Sequence, residues 1–446
     1  MNFAEATQYL LSLGHETIAI KLGLRNISLL LKRLGNPQHS FESVQIAGTN
    51  GKGSTAVMLE AICRAARIST GLYTSPHLVS VTERIRIDGR EIDPAAFADI
   101  ASEVRKAAQD LVSTGMLEAL PTFFEHVTAI ALLAFSRAGI ELAILETGLG
   151  GRLDATTAVG ARTVAITPIS LDHQDYLGNT LAEIAAEKAA VIHPDSLVVV
   201  APQSEVARRV IIERCRECGV DPIWSSADIS KEPNALGYTF GTENDVYENV
   251  QPGLRGAHQL TNAATAIALA ETLASHGLVI GRDAIIAGLQ GARHPGRLEL
   301  FESSTDKSGS LFVLLDGAHN AGGAAALRTY LGSAENLKDT PITLVFGAMA
   351  DKQLHEMAAT LFPVAGRLIL TQPRNPRATS AGELRQLATK YAPGVPAETA
   401  RDTDAAMERA ISFAVGSVIC VTGSLYLVGE VRQWLENHYG PTGHFS

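Results

Sequence analysis

Residues 44–55 read VQIAGTNGKGST, a short apolar strand running into a loop of three glycines around one lysine. Val44 and Ile46 supply the strand. Gly48, Gly51 and Gly53 let backbone N–H groups converge, and Lys52 brings a positive charge to them. Ser54 and Thr55 then open a helix, AVMLEAICRAA, whose N-terminal dipole favours an anion. The loop departs from the usual G-x-x-x-x-G-K-[ST], because no glycine stands at the expected first position and Gly53 separates the lysine from the hydroxyl. A glycine-rich turn without a ligand would also join strand to helix. Such a turn has no use for a lysine inside three glycines, so the stretch reads as a phosphate cradle.

Working outward, 446 residues should form two or three domains with a substantial core. Hydrophobic residues make up 46% and charged ones 19%, as in a globular protein, and no stretch approaches the roughly 18–20 apolar residues of a membrane span. The start, MNFAEATQYLLSLGHE, has no basic segment before an apolar run, so a cytoplasmic protein without a secretory leader is expected. A net charge of −10 with dispersed lysines and arginines offers no basic stripe to nucleic acid. Small anionic ligands are the expected partners, with neither nucleic acid nor membrane, and the chain is expected to be a monomer. Of Cys63, Cys215, Cys218 and Cys420, only the pair in CRECG has motif-like spacing. It lacks a second pair, which favours ordinary thiols near a helix end over zinc or redox chemistry.

Strand and helix signals alternate from end to end, the pattern of an α/β chain with a mostly parallel sheet covered by helices. Strands are expected at 44–47, 142–146, 163–167, 197–201, 312–316, 343–347, 367–371 and 418–422. The turn-rich stretch 222–256 reads as a hairpin-bearing excursion. HPGRLE at 294–299 is the best boundary, where a proline-glycine turn precedes a new strand–helix series. The expected fold is a P-loop-type nucleotide-binding domain over 1–295, followed by a smaller Rossmann-like α/β domain over 296–446. Chemistry in such sheets gathers at the carboxyl ends of strands and in clefts between domains.

Several residues stand at such ends. Glu146 closes LAILE ahead of TGLGGRLDAT, where a carboxylate could hold magnesium or could pair with Arg152. After TVAIT, the segment PISLDHQDYLGNTLAEIAAEKAAVIHP carries Asp172, His173 and Lys188. The histidine could ligate a cation or be structural, and the lysine could be a solvated helix residue. Gln259 and Asn262, in RGAHQLTNAATAIALA, could cap a helix or read a base edge. FVLLDGAHNAGG places Asp316, His319 and Asn320 in a second glycine-bearing strand-to-helix turn.

Together these segments resemble the folylpolyglutamate synthase and dihydrofolate synthase family of the Mur ligase superfamily. The resemblance runs through GTNGKGST (48–55), TSPHL (74–78), PTFFE (121–125), ETGLGGRLDAT (146–156), ITPISLDHQDYLGNTLAEIAAEKA (166–189), HQLTNAA (258–264), HPGRLE (294–299), LDGAHN (315–320), FGAMADK (346–352) and VTGSLYLVGEVR (421–432). It implies that Gly51, Lys52, Gly53 and Ser54 hold ATP phosphates, that Asn262, Arg297 and Asp316 complete the nucleotide site, and that His319 stands near the transferred phosphate. Ser75, Glu146 and His173 match the family's magnesium ligands, with two sites implied. Lys188 matches a lysine carried as a carbamate, and Lys52, Lys188 and His319 are the implied catalytic residues. Thr122, Phe124, Asp154 and Ala155 resemble residues around the pterin site, although Phe124 could equally be core. Where the family often has EKAGI, this chain has EKAAV.

The implied reaction is ATP-dependent amide formation, in which dihydropteroate or a reduced folate gains L-glutamate through an acyl phosphate, with release of ADP and phosphate. A monofunctional folylpolyglutamate synthase is the alternative. A cell-wall Mur ligase is a further rival, but the 47 residues ahead of Gly48 are too few for a UDP-binding domain. A non-ligase ATP switch would have no reason to carry His173, Lys188 and LDGAHN together.

Overall fold

Eight strands form the first sheet: β1 (Glu42–Ala47), β2 (Thr70–Tyr73), β3 (Ile85–Ile87), β4 (Arg90–Glu91), β5 (Leu142–Glu146), β6 (Thr163–Ile166), β7 (Leu197–Val200) and β8 (Pro222–Trp224). Their order is β4-β3-β2-β5-β1-β6-β7-β8. All neighbours run parallel except the β2–β3 and β3–β4 pairs. In register, Ile46 faces Glu146 on one side, and Ala47 faces Ile166 on the other. The turns after β1, β5 and β6 therefore emerge side by side at one edge. From β1 the chain winds toward β2 on one flank and later toward β6 and β7 on the other, the reversal at which such sheets bind ligands.

The computed structural model describes residues 1–14, 23–225, 228–231, 236–305, 309–334, 337, 340–414, 416–440 and 443–446. The chain divides into two compact units, Met1–Gly253 with Gln259–Arg293, and Leu254–His258 with His294–Ser446. Where the sequence reading makes a single cut near residue 295, the backbone crosses between units more than once. Leu254–His258 goes with the second unit because the Arg255 guanidinium donates to the Leu298 carbonyl at 3.4 Å and to the Ser446 hydroxyl at 3.0 Å.

All eight strands expected from the sequence are present, with a physical refinement at their ends. Thr167, Ala201, Asp316, Gly347 and Thr371 fall just past their strands, in the turns where side chains can reach a ligand. The excursion at 222–256 splits. Pro222–Trp224 joins the parallel sheet beside Val198–Val200, because the helix Glu205–Cys218 supplies the crossover that parallel pairing needs. The remainder builds an antiparallel sheet of β9 (Asp228–Ser230), β10 (Tyr238–Gly241) and β11 (Val246–Val250) in the order β11-β10-β9. Residues 226–227 and 232–235 of that excursion lie outside the described residues.

Strand β5 is buried at all five positions, as expected of a parallel strand covered on both faces. The helix Lys52–Ala65 after β1 is buried over nearly its whole circumference, which matches its run of small and apolar residues. The helix Arg282–Gly291 packs against it so closely that a Cβ on Gly288 would lie 2.3 Å from the Ile62 Cα. Truncating the fully buried Ile62 to alanine would cost about 2–5 kcal/mol. The first loop thus stands on a rigid base.

The second unit carries a seven-stranded sheet of β12 (Glu299–Thr305), β13 (Gly309–Leu315), β14 (Ile342–Phe346), β15 (Arg367–Leu370), β16 (Ala397–Thr399), β17 (Val418–Thr422) and β18 (Gly443–Phe445). The order is β16-β15-β14-β17-β13-β12-β18, with β12 and β18 antiparallel to their neighbours. Its core gathers Leu314, Leu327, Leu344, Phe346, Met357, Phe362, Leu368 and Leu384. Among the described residues, no helix is long and apolar enough to cross a membrane. The four cysteines are free thiols, and Cys215 and Cys218 lie in the last turn of Glu205–Cys218.

Candidate active site

At the end of β1, Gly48 adopts φ +144°, and a Cβ there would lie 1.9 Å from the Thr167 hydroxyl oxygen. Only glycine fits, on backbone and on space. The next residues are fastened to the segment after β6. The N–H groups of Thr49 and Asn50 both donate to the Pro168 carbonyl at 3.1 Å, and the Asn50 amide donates to the Ser170 hydroxyl at 3.0 Å. Thr49 and Ser170 complete a reciprocal pair, hydroxyl to carbonyl and N–H to hydroxyl, each at 3.1 Å. Thr167 and Ser170 carry no chemical signature in the sequence, and their part in shaping the loop emerges only from sheet register.

Gly51, at φ +87°, is the N-cap of Lys52–Ala65, and no side chain caps that helix. The dipole of such a helix start favours an anion. A Cβ on Gly51 would meet the Asn262 amide oxygen at 2.2 Å. Asn262 is buried, and its amide nitrogen donates to the Gln259 amide oxygen at 2.8 Å, which turns the Asn262 oxygen toward the loop. Gln259 thus acts on its neighbour one helical turn along rather than capping the helix. The Lys52 ammonium folds back to donate to the Thr49 carbonyl at 3.3 Å. Gly53 and Ser54 follow in the first turn, both buried.

Lys188 is the least ordinary cation in the chain. It lies in Leu181–Ala189, a helix started by a capping box of Thr180 and Glu183, and only 4% of it is exposed. Its ammonium donates to the Gly48 carbonyl at 2.6 Å, bringing it directly under the first loop. Burial, with the Lys52 charge adding to it, lowers its pKa to about 7, while Asp172 and Asp154 act in the opposite direction. Close to neutrality a large share of Lys188 is therefore the uncharged, nucleophilic amine.

Glu146 closes β5, buried, and accepts from the Ser75 peptide N–H at 3.0 Å. Arg152, the alternative partner for Glu146, pairs instead with Glu187 at 3.0 Å. His173 sits at φ +51°, unusual for a residue with a Cβ, and its N–H donates to the Asp172 carboxylate at 2.9 Å. Among the described residues no cluster of three or more His, Cys, Asp or Glu could hold a metal ion. Of the three residues expected to hold magnesium, Ser75 and Glu146 are in contact through the Ser75 N–H.

Thr122 begins the helix Phe123–Ala138 and shares a capping box with Glu125. Phe124 is half-buried, with its ring centroid 6.0 Å from that of Tyr73, so it belongs neither wholly to the core nor to solvent. Asp154 is buried, accepting from Leu149 N–H at 2.9 Å and Thr156 N–H at 3.0 Å. Burial raises its carboxyl above the ordinary range, and these hydrogen bonds offset only part of that shift. Ala155 follows, 3% exposed.

Arg297, Asp316 and His319 form a cluster of their own in the second unit. The Asp316 carboxylate, buried past β13, accepts from Leu298 N–H at 3.0 Å and Ala318 N–H at 3.1 Å. Burial raises it to about 6 against the pull of the Arg297 charge and both N–H groups. Arg297 donates to the Gly317 carbonyl at 3.4 Å. The same carbonyl lies 2.8 Å from His319 Nδ1, which must carry a proton to bond there. The helix that follows, Ala321–Ser333, is capped by the Asn320 side chain on Gly323 N–H at 2.8 Å. The second glycine turn therefore satisfies its own helix start, unlike the first.

The Mur ligase middle domain matches residues 46–270, and the Mur ligase glutamate ligase domain matches residues 296–425. A probable bifunctional folylpolyglutamate synthase/dihydropteroate synthase of Haloferax volcanii is 36% identical over 97% of this chain and 50% of its own length. The chain thus spans about half the length of that archaeal relative. The dihydrofolate synthase/folylpolyglutamate synthase of Mycobacterium tuberculosis is 33% identical over 92% of this chain and 89% of its own. A crystal structure of the Mycobacterium tuberculosis folylpolyglutamate synthase, complexed with ADP and AMPPCP, superposes with a TM-score of 0.86 at 31% identity, covering 97% of this chain and 99% of that one. A Yersinia pestis bifunctional folylpolyglutamate synthase/dihydrofolate synthase, complexed with AMPPNP and a manganese ion, gives 0.82 at 30% identity and covers 98% of both chains. With both domains matched in order and relatives covered over most of their length, the chain belongs to the dihydrofolate synthase/folylpolyglutamate synthase family of Mur ligases.

Proposed function

We propose that the chain is an ATP-dependent amide ligase that joins L-glutamate to a pterin-bearing carboxylic acid, dihydropteroate or a reduced folate, releasing ADP and phosphate. The observation that carries this reading is the meeting of two lysines at one phosphate-type loop. Lys52 lies on the loop and Lys188 is hydrogen-bonded to its first carbonyl, while the strand-end carboxylate Glu146 stands in register with Ile46 of the strand that leads into that loop. A phosphate-binding switch needs the loop and a carboxylate; it has no use for a buried amine at that carbonyl.

In the proposed reaction, a carboxylate oxygen of the acceptor attacks the γ-phosphorus of ATP, the bond to the bridging oxygen breaks, and ADP leaves. The uncapped N–H groups after Gly51 and the Lys52 ammonium stabilise the charge that spreads over the phosphoryl oxygens. The glutamate ammonium loses a proton, and the resulting amine attacks the acyl carbon. Phosphate leaves with the bonding electrons, and the nitrogen gives up a second proton, which the departing phosphate takes, as the amide forms. Asn262 orients the nucleotide against the loop, and ionised Asp316 accepts from its hydroxyl groups beside Arg297. His319, with its Nδ1 proton held by the Gly317 carbonyl, stands near the transferred phosphate. Thr122, Phe124, Asp154 and Ala155 bind the pterin end.

Ser75, Glu146 and His173 would hold magnesium. The fit rests on the Ser75 N–H seated on the Glu146 carboxylate, which brings a hydroxyl beside a buried anionic oxygen, the hard donors such a cation takes. When bound, the metal supplies Lewis-acid stabilisation of phosphoryl oxygens. Lys188, as a neutral amine, would take up carbon dioxide and release a proton, becoming a carbamate that adds oxygen donors for a second ion.

The test is glutamate-dependent ADP release with dihydropteroate as acceptor, set beside a reduced folate in the same preparation. Equal ATP hydrolysis with and without both substrates would sink the ligase reading. Lys188→Ala should nearly abolish amide formation while leaving nucleotide affinity mostly intact, and wild-type turnover in that variant would remove the lysine from the chemistry.

A further inference from the structure

Gly148 lies two residues past Glu146, between two residues already assigned to the substrate, Phe124 against its backbone and Asp154 bonded to the next N–H. A Cβ built on Gly148 would stand 2.6 Å from the Phe124 Cζ and 2.7 Å from its Cε2, so the ring tip rests directly on the Gly148 backbone. The next residue, Leu149, donates its N–H to the buried Asp154 carboxylate at 2.9 Å. Gly148 does not occupy the left-handed region that would demand glycine on backbone grounds, so the missing Cβ answers to space alone. Tyr73 packs against the same ring and is fully buried, its hydroxyl held by Thr128 at 3.2 Å, so the ring has little room to retreat toward it. Gly148 and Phe124 both remain partly exposed, which separates this contact from ordinary core packing.

We propose that Gly148 is a specificity-determining position, setting how close the Phe124 ring stands to the loop after β5 and thus the width available to a flat bicyclic ring of the acceptor acid. The inference rests on the pterin reading of Phe124 and Asp154. A methyl group at this position must displace the ring tip, since the Gly148 backbone is held between the Leu149 N–H bond to Asp154 on one side and β5 on the other. The displaced ring narrows the space for a planar ligand, while Lys52, Asn262 and the nucleotide loop are untouched.

The experiment is steady-state kinetics with dihydropteroate and with ATP for the wild type, Gly148→Ala, Phe124→Leu and the double variant. One added methyl in a fitted pocket is worth roughly tenfold or more. Gly148→Ala should therefore raise KM for dihydropteroate on the order of tenfold, without a matching fall in kcat or change in KM for ATP. Leucine lacks the Cε and Cζ atoms that make the contact, so the double variant should recover most of the affinity lost in Gly148→Ala. An unchanged dihydropteroate KM in Gly148→Ala, or a double variant in which the two losses simply multiply, overturns the inference. An equal rise in KM for ATP overturns it too, because the change would then not be confined to the acceptor. A wild type with no dihydropteroate-dependent turnover overturns the functional reading and this inference together.

Discussion

Two strand–glycine–helix turns, one in each unit, look alike in sequence and are put to opposite uses. After β1, the helix Lys52–Ala65 starts at a left-handed Gly51 and receives no side-chain cap, so its N-terminal dipole is left for an anion. After β13, the helix Ala321–Ser333 is closed by the Asn320 side chain, and Ala321 N–H is further taken by Gln353 at 3.3 Å. That turn presents a carboxylate instead, Asp316, fixed by two backbone N–H groups. Glycine content shows that backbone comes close to something in both turns. What each turn offers is decided by which residue occupies the N-cap.

The comparison breaks first at Lys52. Lys52→Ala removes the only side-chain cation on the first loop, and glutamate-dependent ADP release should fall on the order of 100- to 1000-fold. A loss below tenfold would mean that the loop's N–H groups alone suffice. Gly51→Ala comes next, since the new Cβ is strained at φ +87° and collides with the Asn262 oxygen. About 1–3 kcal/mol of strain corresponds to a tenfold to hundredfold weaker nucleotide dissociation constant, measurable by calorimetry.

Asp316 sharpens the contrast through pH. Burial raises its pKa from 3.8 to about 6, so the folded chain keeps this proton where the unfolded chain has lost it. Stability contributed by the bound proton is therefore full below pH 3.8 and is lost as pH rises to about 6. Asp316→Asn should flatten that part of a plot of Tm against pH. In the wild type, KM for ATP should rise as pH falls through about 6, because a protonated carboxyl loses its acceptor role, and Asp316→Asn should lose that pH dependence. The smallest effect belongs to Asn320→Ala. It should lower stability by about 1 kcal/mol, seen in thermal unfolding, with nucleotide affinity unchanged.

Much of the architecture was legible because apolar runs of strand length alternate with helix-period segments, and each expected strand formed. The edge strand Pro222–Trp224 escaped notice because a three-residue strand carries too little periodicity to register, and its place depends on the neighbour it finds. In the first unit, Lys52, Glu146 and Asp154 were recognisable from the loops that carry them. Thr167, Ser170 and Gly148 were not. Their roles are steric or orienting, arising where strands far apart in sequence come into register, and such roles leave no mark on residue type.

By itself, the sequence determined the kind of chain this is: the spacing of Gly51, Lys52 and Gly53, and the ten motifs in order, follow from local backbone and side-chain chemistry. Lys188 shows what it could not determine. In the sequence it is a lysine in an alanine-rich helix, indistinguishable from a solvated one. Only packing beneath the first loop, 2.6 Å from the Gly48 carbonyl and near the Lys52 charge, takes it out of water and brings its pKa to about 7. Desolvation and charge proximity are properties of position in space, and chain order does not encode them directly.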